Sequence, residues 1–168
     1  ASKDSMLENL HLFSNHVHLI YNTIPRDFII SRSLEESETL QRKGFLFISM
    51  GRFYFQKGFD RAVTVAERLQ AKEIDYIWYI IGDGGDFERI RDKIKEKNLE
   101  EHVLLLGLKA NPFTYIKQAD CFVLTSRYEA QPMVLNEALT LGIPVISTRF
   151  SSVTEVVDDG INGLIVDN

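Results

Sequence analysis

The sequence of 168 residues has little of what marks several classes of protein. It contains one cysteine, Cys121, so no internal disulfide can form, and this indicates a reducing setting. We therefore expect a cytoplasmic protein, which in its intact form could also lie peripherally at a membrane. Cys121 stands in an apolar run at residues 121–124, which favours a buried core thiol over a reactive nucleophile.

Excess positive charge, long apolar runs and metal-binding clusters are also missing from the sequence. The net charge is −5, whereas nucleic-acid-binding domains usually carry a basic excess, so no nucleic-acid partner is expected. No apolar stretch reaches the roughly 18 residues of a membrane span, and no secretory signal is visible. No cluster of carboxylates and histidines predicts a metal site, and we interpret His16 and His18 as alternating residues of a strand.

What the sequence does contain is a regular alternation of short apolar runs and segments with helical periodicity. The runs predict strands at residues 45–49, 76–81, 103–106, 121–124 and 144–147, with a further short strand ending near residue 166. Helices are predicted between them, over residues 59–69, 87–95, 113–119 and 133–141. This alternation predicts an α/β fold, a doubly wound, Rossmann-like parallel sheet with right-handed crossovers.

The alternation is absent from the first quarter of the chain. We therefore predict two regions, a leading interdomain or linker segment at residues 1–44 and one Rossmann-like domain at residues 45–168. Within the first region, residues 16–21 suggest a strand, residues 22–25 a turn, and residues 31–43 a loop or solvated helix. No helix follows the last predicted strand, so we expect the chain to be part of a longer protein.

Four of the predicted strands end in residues that suit a ligand site. These are Gly51-Arg52, Gly82-Asp83-Gly84, Gly107 and Thr125-Ser126, in the order of the strands that they follow. In a doubly wound sheet, ligands bind outside the carboxyl ends of the strands, and these four loops share that edge. The sequence therefore predicts a binding site there.

Two cations follow the first strand. Gly51 allows the backbone to turn closely off the strand, Arg52 stands at the strand end, and Lys57 lies near the start of the next helix. Arg can engage two phosphate oxygens, Lys adds a point charge, and the N–H groups of a helix N-terminus complete an anion site, so the pair suits a diphosphate. The alternative is that both are solvated surface cations.

Two carboxylates follow the fourth strand. Glu129 falls in a loop, and Glu137 falls in the next helix, beside the apolar positions Val134, Ala138 and Leu141. A carboxylate at the border of an apolar face needs partners, and paired sugar hydroxyls such as a ribose diol would supply them. The alternative for Glu137 is a rim carboxylate paired with a nearby Lys or Arg.

A series of short motifs runs through the chain in a fixed order. It comprises Gly51-Arg52 with Lys57-Gly58, Gly82-Asp83-Gly84, Val103-x-x-x-Gly107, Ser126-x-x-Glu129 with Glu137-Ala138 after seven residues, Gly142-x-Pro144-Val145, Glu155, and Asp159-Gly160-x-Asn162-Gly163. On this series, residues 45–167 resemble the C-terminal domain of glycosyltransferase family four, within the GT-B superfamily. Gly-Asp-Gly alone would be weak, but the ordered set is highly specific.

The resemblance implies a role for each matching residue. Arg52 and Lys57 would hold the diphosphate of a nucleotide-sugar donor, Glu129 would meet hydroxyls of the transferred sugar, and Glu137 would bind the ribose diol. Further donor contacts would come from the motif residues Gly51, Gly82 and Ser126. The segment Leu108-Lys109 would lie near the base. Backbone N–H groups of Val134 and Leu135, at the start of a helix, would add to the phosphate site. Arg52, Lys57 and Glu129 would be the catalytic set, with Glu129 orienting the sugar.

The resemblance also implies what the whole protein does. It would be a retaining, metal-independent hexosyltransferase without a cofactor, taking a nucleotide-diphosphate sugar as donor and a glycan or lipid-linked acceptor through a separate N-terminal domain, in cell-surface polysaccharide synthesis. That acceptor domain is absent from this chain, so we expect the fragment alone to be inactive.

Two positions depart from the family pattern. The family usually has Gly after the first Glu, where this chain has Ala130, and Ala would be unfavourable there if the position needed a positive φ or a close approach to the sugar. The turn at residues 22–24 stands where many members carry Asn-Gly-x-Asp. These departures leave donor choice open.

Three other functions remain as alternatives. A dinucleotide-dependent oxidoreductase would carry G-x-G-x-x-G after the first strand, whereas here a glycine-rich stretch follows the second and has Phe87 at the last glycine position. A non-catalytic nucleotide-sugar-binding or regulatory domain would keep the fold and the donor site. A pure interaction module would have no nucleotide affinity.

Overall fold

The structure is a computed structural model that describes residues 22–167. The first helix in this range is α1 (Arg26–Ser33), and it is followed by β1 (Phe45–Met50), α2 (Phe59–Ala71), β2 (Tyr76–Ile81), α3 (Phe87–Glu96), β3 (Val103–Gly107), α4 (Phe113–Ile116), β4 (Cys121–Leu124), α5 (Met133–Thr140), β5 (Val145–Thr148) and β6 (Gly163–Val166). Single 3-10 turns lie at Phe55–Lys57 and Val153–Glu155.

The strands form one parallel sheet in the order β3-β2-β1-β4-β5-β6. This confirms the predicted doubly wound α/β fold. Each strand predicted from residue 45 onward is present, with bounds that differ by at most one residue, because uninterrupted apolar runs bounded by turn residues suit strands covered on both faces. β2 is buried along its whole length, as its apolar sequence predicts.

Helices cover the two faces of the sheet in separate groups. α2 and α3 pack on the face that carries Tyr76, Trp78 and Ile80. The α4 and α5 side chains pack on the face that carries Ile77, Tyr79 and Phe122. Cys121 is buried in the first of these cores, and burial raises the pKa of its thiol to about 11, which confirms the interpretation as a core thiol.

The segment before β1 packs against the same body. Ile29 in α1 is buried, α1 contacts α4 and α5, and Leu40 is buried beside Ile116 and Phe122. Arg42 donates to both oxygens of Asp120 at 2.7 and 2.6 Å. The boundary between residues 44 and 45 stays a prediction, and the strand predicted at residues 16–21, with His16 and His18, lies outside the described residues.

Sequence reasoning gave no helix over the first part of α1. Phe28, Ile30 and Leu34 are exposed while Ile29 is buried, so the apolar residues surround the helix and give no periodicity of 3.6. Contacts with α4 and α5 stabilise α1, and this tertiary packing could not be read from the segment alone.

Candidate functional site

The sheet changes its winding direction between β1 and β4. The chain passes outward from β1 to β2 and β3 on one side, and outward from β4 to β5 and β6 on the other. Such a switch point leaves a crevice at the carboxyl ends of the two central strands. In this protein the loops at that crevice are residues 51–58 after β1 and residues 125–132 after β4.

A cleft of about 380 Å³ lies at this point. Its walls include most of the residues predicted for the site, namely Gly51, Arg52, Lys57, Gly82, Leu108, Lys109, Glu129 and Val134. Tyr54, Gln56 and Asp83 also line it, and sequence reasoning did not single them out as donor contacts. The structure thus brings residues from four loops together, as the rule about strand ends predicts.

A larger groove, of about 580 Å³, lies elsewhere on the molecule between α2 and the sheet. Its wall is mainly apolar and includes Val65, Leu69, Val123, Ile146 and Val166. We place the candidate site in the smaller cleft because charged and polar groups from several loops converge there.

Glu129 is the most heavily hydrogen-bonded side chain of the cleft. Its Oε1 accepts hydrogen bonds from Lys57 Nζ and from Ser126 Oγ, both at 2.6 Å, and its Oε2 accepts one from Gln56 Nε2 at 3.3 Å. Only 16% of the Lys57 side chain and 8% of the Glu129 side chain are exposed. Lys57 and Glu129 are therefore a fixed, largely desolvated ion pair, and Lys57 is not the solvated surface cation considered above.

Ser126 orients Glu129. It is fully buried, and its hydroxyl donates to the Glu129 carboxylate. Sequence reasoning gave Ser126 as a donor contact and did not predict this hydrogen bond.

Glu137 lies behind the cleft wall, on α5, three residues after Val134. Its Oε2 is buried and has no hydrogen-bond partner, and burial raises the pKa of the Glu137 carboxyl, an effect that the charge of Lys57 opposes. Oε2 therefore does not form the hydrogen-bonded pair with Lys or Arg that the alternative of a rim carboxylate requires. A buried carboxylate oxygen without a partner costs stability and is unusual in native proteins, which favours a functional role.

Arg52 is exposed at the mouth of the cleft. Its guanidinium carbon lies 5.9 Å from the centre of the Tyr54 ring, and it forms no salt bridge within residues 22–167. Its charge is therefore available to an anion. Lys109 also lines the cleft, where its Nζ lies 5.0 Å from the centre of the Tyr115 ring.

The two backbone N–H groups predicted as phosphate donors at the start of α5, those of Val134 and Leu135, differ in their surroundings. The N–H of Leu135 donates to Pro132 O at 3.0 Å, and the Leu135 side chain is fully buried in the core. Leu135 is thus corrected from a ligand contact to a core residue, because the first turn of the helix closes on its own N–H. Val134 lines the cleft and remains the candidate backbone donor.

Two glycines allow strands and loops to approach closely at the cleft floor. Gly82 has φ +139°, and a Cβ there would lie 1.9 Å from Gly51 O. Gly58 has φ +65°, and a Cβ there would lie 2.2 Å from Thr125 O. The second contact joins the loop after β1 to the loop after β4, and a larger residue could not occupy either position without a shift of backbone.

Ala130, the departure from the family pattern, has an ordinary backbone conformation. Among the described residues other than glycine, only Glu73 and Asn98 have positive φ. Ala130 is therefore unstrained at this position, and a positive φ is not required there.

No group of three or more His, Cys, Asp or Glu side chains within residues 22–167 is placed to hold a metal ion. The helices in this range are all too short or too polar to cross a membrane.

The fold is that of the C-terminal half of a GT-B protein. The family model of "Glycosyl transferases group 1" matches residues 31–168, and the chain belongs to this family, glycosyltransferase family four. Both the predicted resemblance and the predicted GT-B fold are thereby confirmed.

Three relatives illustrate the likeness. An N-acetylgalactosaminyltransferase of Campylobacter jejuni that acts on a diphospho-undecaprenol acceptor is 30% identical over 165 residues, which are 98% of this chain and 44% of that protein. The structure of the lipopolysaccharide outer core galactosyltransferase WaaB is 26% identical with a TM-score of 0.77, over 98% of this chain and 46% of that one. TarM of S. aureus, solved with UDP, is 25% identical with a TM-score of 0.71, over 80% of this chain and 28% of that one.

The chain spans less than half the length of the curated relatives that it matches, between 34% and 44% for the first three. The chain is thus a glycosyltransferase domain, and its relatives include enzymes of lipopolysaccharide and glycan synthesis.

Proposed function

We propose that this chain is the donor-binding domain of a retaining glycosyltransferase, which transfers a sugar from a nucleotide-diphosphate sugar to a glycan or lipid-linked acceptor in cell-surface polysaccharide synthesis. The observation that carries the proposal is the convergence of Arg52, Lys57 and Glu129 in one cleft at the switch point, with the unpartnered Oε2 of Glu137 behind its wall. The presence of UDP in the structure of TarM supports a nucleoside diphosphate as ligand.

In this proposal the two cations bind the diphosphate. Arg52 approaches it with a planar guanidinium from the mouth of the cleft, and Lys57 from the floor, where one of its three N–H groups is already used on Glu129. The N–H of Val134 lies at the start of α5, where the helix dipole also favours a negative charge.

The two carboxylates bind the sugars of the donor. The ionised Glu137 would accept hydrogen bonds from a ribose diol, which would give its buried oxygen a partner. Glu129 would accept hydrogen bonds from hydroxyls of the transferred sugar, and its three protein donors would hold it in place for that role.

The reaction breaks the bond between the anomeric carbon and the departing phosphate oxygen, so negative charge develops on the phosphate. Groups fixed in advance around that oxygen stabilise the transition state, and removing one such donor costs about 3 kcal/mol of barrier. Arg52 and Lys57 are the groups in this chain placed to do so, and they would neutralise the diphosphate without a metal ion.

Calorimetric titration of the chain with UDP, GDP and ADP tests the donor site. At least one nucleotide should bind, and Arg52→Ala with Lys57→Ala should abolish the heat of binding. Arg91→Ala with Lys97→Ala is the matched control, because it removes the same two charges from surface ion pairs with Glu88 and Glu67. Absence of binding by the parent chain, or undiminished binding by the cleft variant, would contradict the proposal.

A non-catalytic nucleotide-sugar-binding or regulatory domain is the second candidate, because the same cleft could bind a donor without turnover. Transfer assays on a full-length protein that contains this domain separate the two. A transferase should lose turnover in Glu129→Gln while it still binds the nucleotide diphosphate, whereas a regulatory domain should show no turnover with any donor. This chain by itself should transfer no sugar.

A further inference from the structure

Arg127 connects the two loops that carry the charged groups of the cleft. Its Nη1 donates to Phe55 O at 2.7 Å and to Asp60 Oδ1 at 2.9 Å, and its Nη2 donates to Asp60 Oδ2 at 2.7 Å. Its backbone N–H donates to Gln56 O at 2.8 Å. Arg127, in the loop after β4, therefore holds residues on both sides of Lys57.

The same residue also packs on the loop after β1. The guanidinium carbon of Arg127 lies 4.0 Å from the centre of the exposed Phe55 ring, within the range of a cation–π contact. Thr125 Oγ1 donates to Lys57 O at 3.0 Å, and Gly58 lies directly against Thr125 O. These contacts leave the backbone at Lys57 little freedom to move relative to β4.

The Arg127 ion pair differs from an ordinary surface salt bridge. Only 18% of the Arg127 side chain and 22% of the Asp60 side chain are exposed, and Nη1 donates to one carboxylate oxygen while Nη2 donates to the other. Such a bidentate pair fixes distance and angle together, which a lysine cannot do. Arg127 itself does not line the cleft, so its effect on a ligand there has to pass through other residues.

We infer that Arg127 is a positioning residue, which places Lys57 against Glu129 and so sets how strongly the cleft binds the diphosphate of a donor. Ser126 and Glu129 stand one residue before and two residues after Arg127, and Lys57 stands between the two points that Arg127 holds, Phe55 and Asp60. Through Arg127 the loop that carries the cation and the loop that carries the carboxylate form one rigid unit. This inference rests on the proposed function for its ligand.

Arg127→Lys tests the inference, because it keeps the charge and removes the bidentate geometry and the stacking. We expect nucleotide affinity to fall by between tenfold and about a hundredfold, as for a displacement of about 1 Å in a binding site. Arg149→Lys is the matched control, since Arg149 forms an exposed ion pair with Asp167, and its affinity should stay within twofold of the parent value. Titrations are made well below the melting temperature of each variant.

A double-mutant cycle with Lys57→Ala separates positioning from a general loss of stability. If Arg127 acts through Lys57, Arg127→Lys should weaken nucleotide binding far less in the Lys57→Ala background than in the parent chain. Equal losses in the two backgrounds, or an unchanged affinity in the single variant, would overturn the inference.

Amide hydrogen exchange provides a readout without nucleotide. In Arg127→Lys, exchange at residues 53–59 should accelerate at least tenfold, while exchange in β2 stays unchanged. Unchanged exchange at residues 53–59 would refute the positioning role. If the parent chain binds no nucleotide, the proposed function fails, and the exchange result alone then decides whether Arg127 positions the loop.

Discussion

Lys57 and Glu129 lie 72 positions apart in the chain and form an ion pair with Nζ 2.6 Å from Oε1. The pair is largely buried, and Ser126 and Gln56 complete the coordination of the carboxylate. In a desolvated pair each charge depends on the other, because neither can recover its hydration when its partner is removed. The pair therefore has consequences for stability as well as for ligand binding.

We predict that single and double substitutions at this pair are strongly non-additive. Lys57→Met alone should destabilise the chain by about 3 kcal/mol, because it leaves Glu129 buried without a counter-charge. Adding Glu129→Gln should restore a large part of that loss, since the neutral amide no longer needs the cation. Urea unfolding of the parent chain, both single variants and the double variant measures the coupling.

The same cycle at an exposed pair is the control. Lys97 and Glu67 lie at 3.0 Å but are more exposed, so Lys97→Met should change the free energy of unfolding far less than Lys57→Met. Additive effects at Lys57 and Glu129 would show that the cleft is open to water and that the pair is not coupled.

The convergence of Lys57 and Glu129 could be predicted from the sequence, whereas their direct bond could not. Apolar runs fix the strands, the winding of a parallel sheet fixes which strand ends are neighbours, and so the two loops must meet. Which side chains then form hydrogen bonds or ion pairs depends on their rotamers and on the paths of the two loops. Loops have no periodic pattern in the sequence, so these contacts cannot be predicted from it. For this reason Ser126 was predicted as a ligand contact although its hydroxyl is used on Glu129.

The pair of Arg127 and Asp60 was missed for the same reason. The two residues are 67 positions apart, and each is an unremarkable charged residue in its own segment. The signal that was available is position: Asp60 stands in the first turn of the helix after Lys57, and Arg127 follows Ser126 at the neighbouring strand end. Both therefore lie at the carboxyl edge of the sheet, where opposite charges are expected to pair.

Glu137 should lower the stability of the unliganded protein at neutral pH. Burial raises its pKa above the ordinary value of 4.5, so the folded chain binds more protons than the unfolded chain just above that pH. The stabilising contribution of Glu137 to the free energy of unfolding is therefore fully present below pH 4.5. It is lost as the pH rises through the pKa of Glu137 in the folded chain. We predict that Glu137→Gln is more stable than the parent chain by about 1 kcal/mol above that range.

The measurement is the difference between the two unfolding free energies from pH 4 to pH 8. The difference is needed because other carboxyls act in the opposite sense: hydrogen bonds from Arg127 and Arg42 lower the pKa values of Asp60 and Asp120, and their stabilisation is lost as the pH falls. A Glu137→Gln variant that is less stable than the parent at every pH would show that the carboxylate has structural partners.

Nucleotide binding should release a proton from Glu137 over the same pH range. A diol donates to the ionised carboxylate, so the bound form favours ionisation while the empty, buried site opposes it. Affinity should therefore fall as the pH drops below the raised pKa. Calorimetry in two buffers with different ionisation enthalpies measures the proton count, which Glu137→Gln should reduce while it weakens binding by about tenfold.

Alanine substitutions at Gly58 and Gly142 separate two effects, the loss of the close contact between the two loops and the strain of a positive φ. Both have positive φ, +65° and +75°, so alanine is strained at either position. A Cβ at Gly58 would lie 2.2 Å from Thr125 O, whereas a Cβ at Gly142 would meet nothing within 4 Å. Gly142→Ala should therefore cost about 1 kcal/mol of stability and leave nucleotide affinity unchanged.

Gly58→Ala should cost about 1 kcal/mol more than Gly142→Ala, because the loop after β1 has to move away from β4 in addition to adopting the strained conformation. That movement carries Lys57 away from Glu129, so nucleotide affinity should fall as well. Thermal unfolding and calorimetric titration of the two variants measure both effects. Equal losses of stability, with affinity retained in both, would mean that the loop tolerates separation from β4 and that the cleft does not depend on this contact.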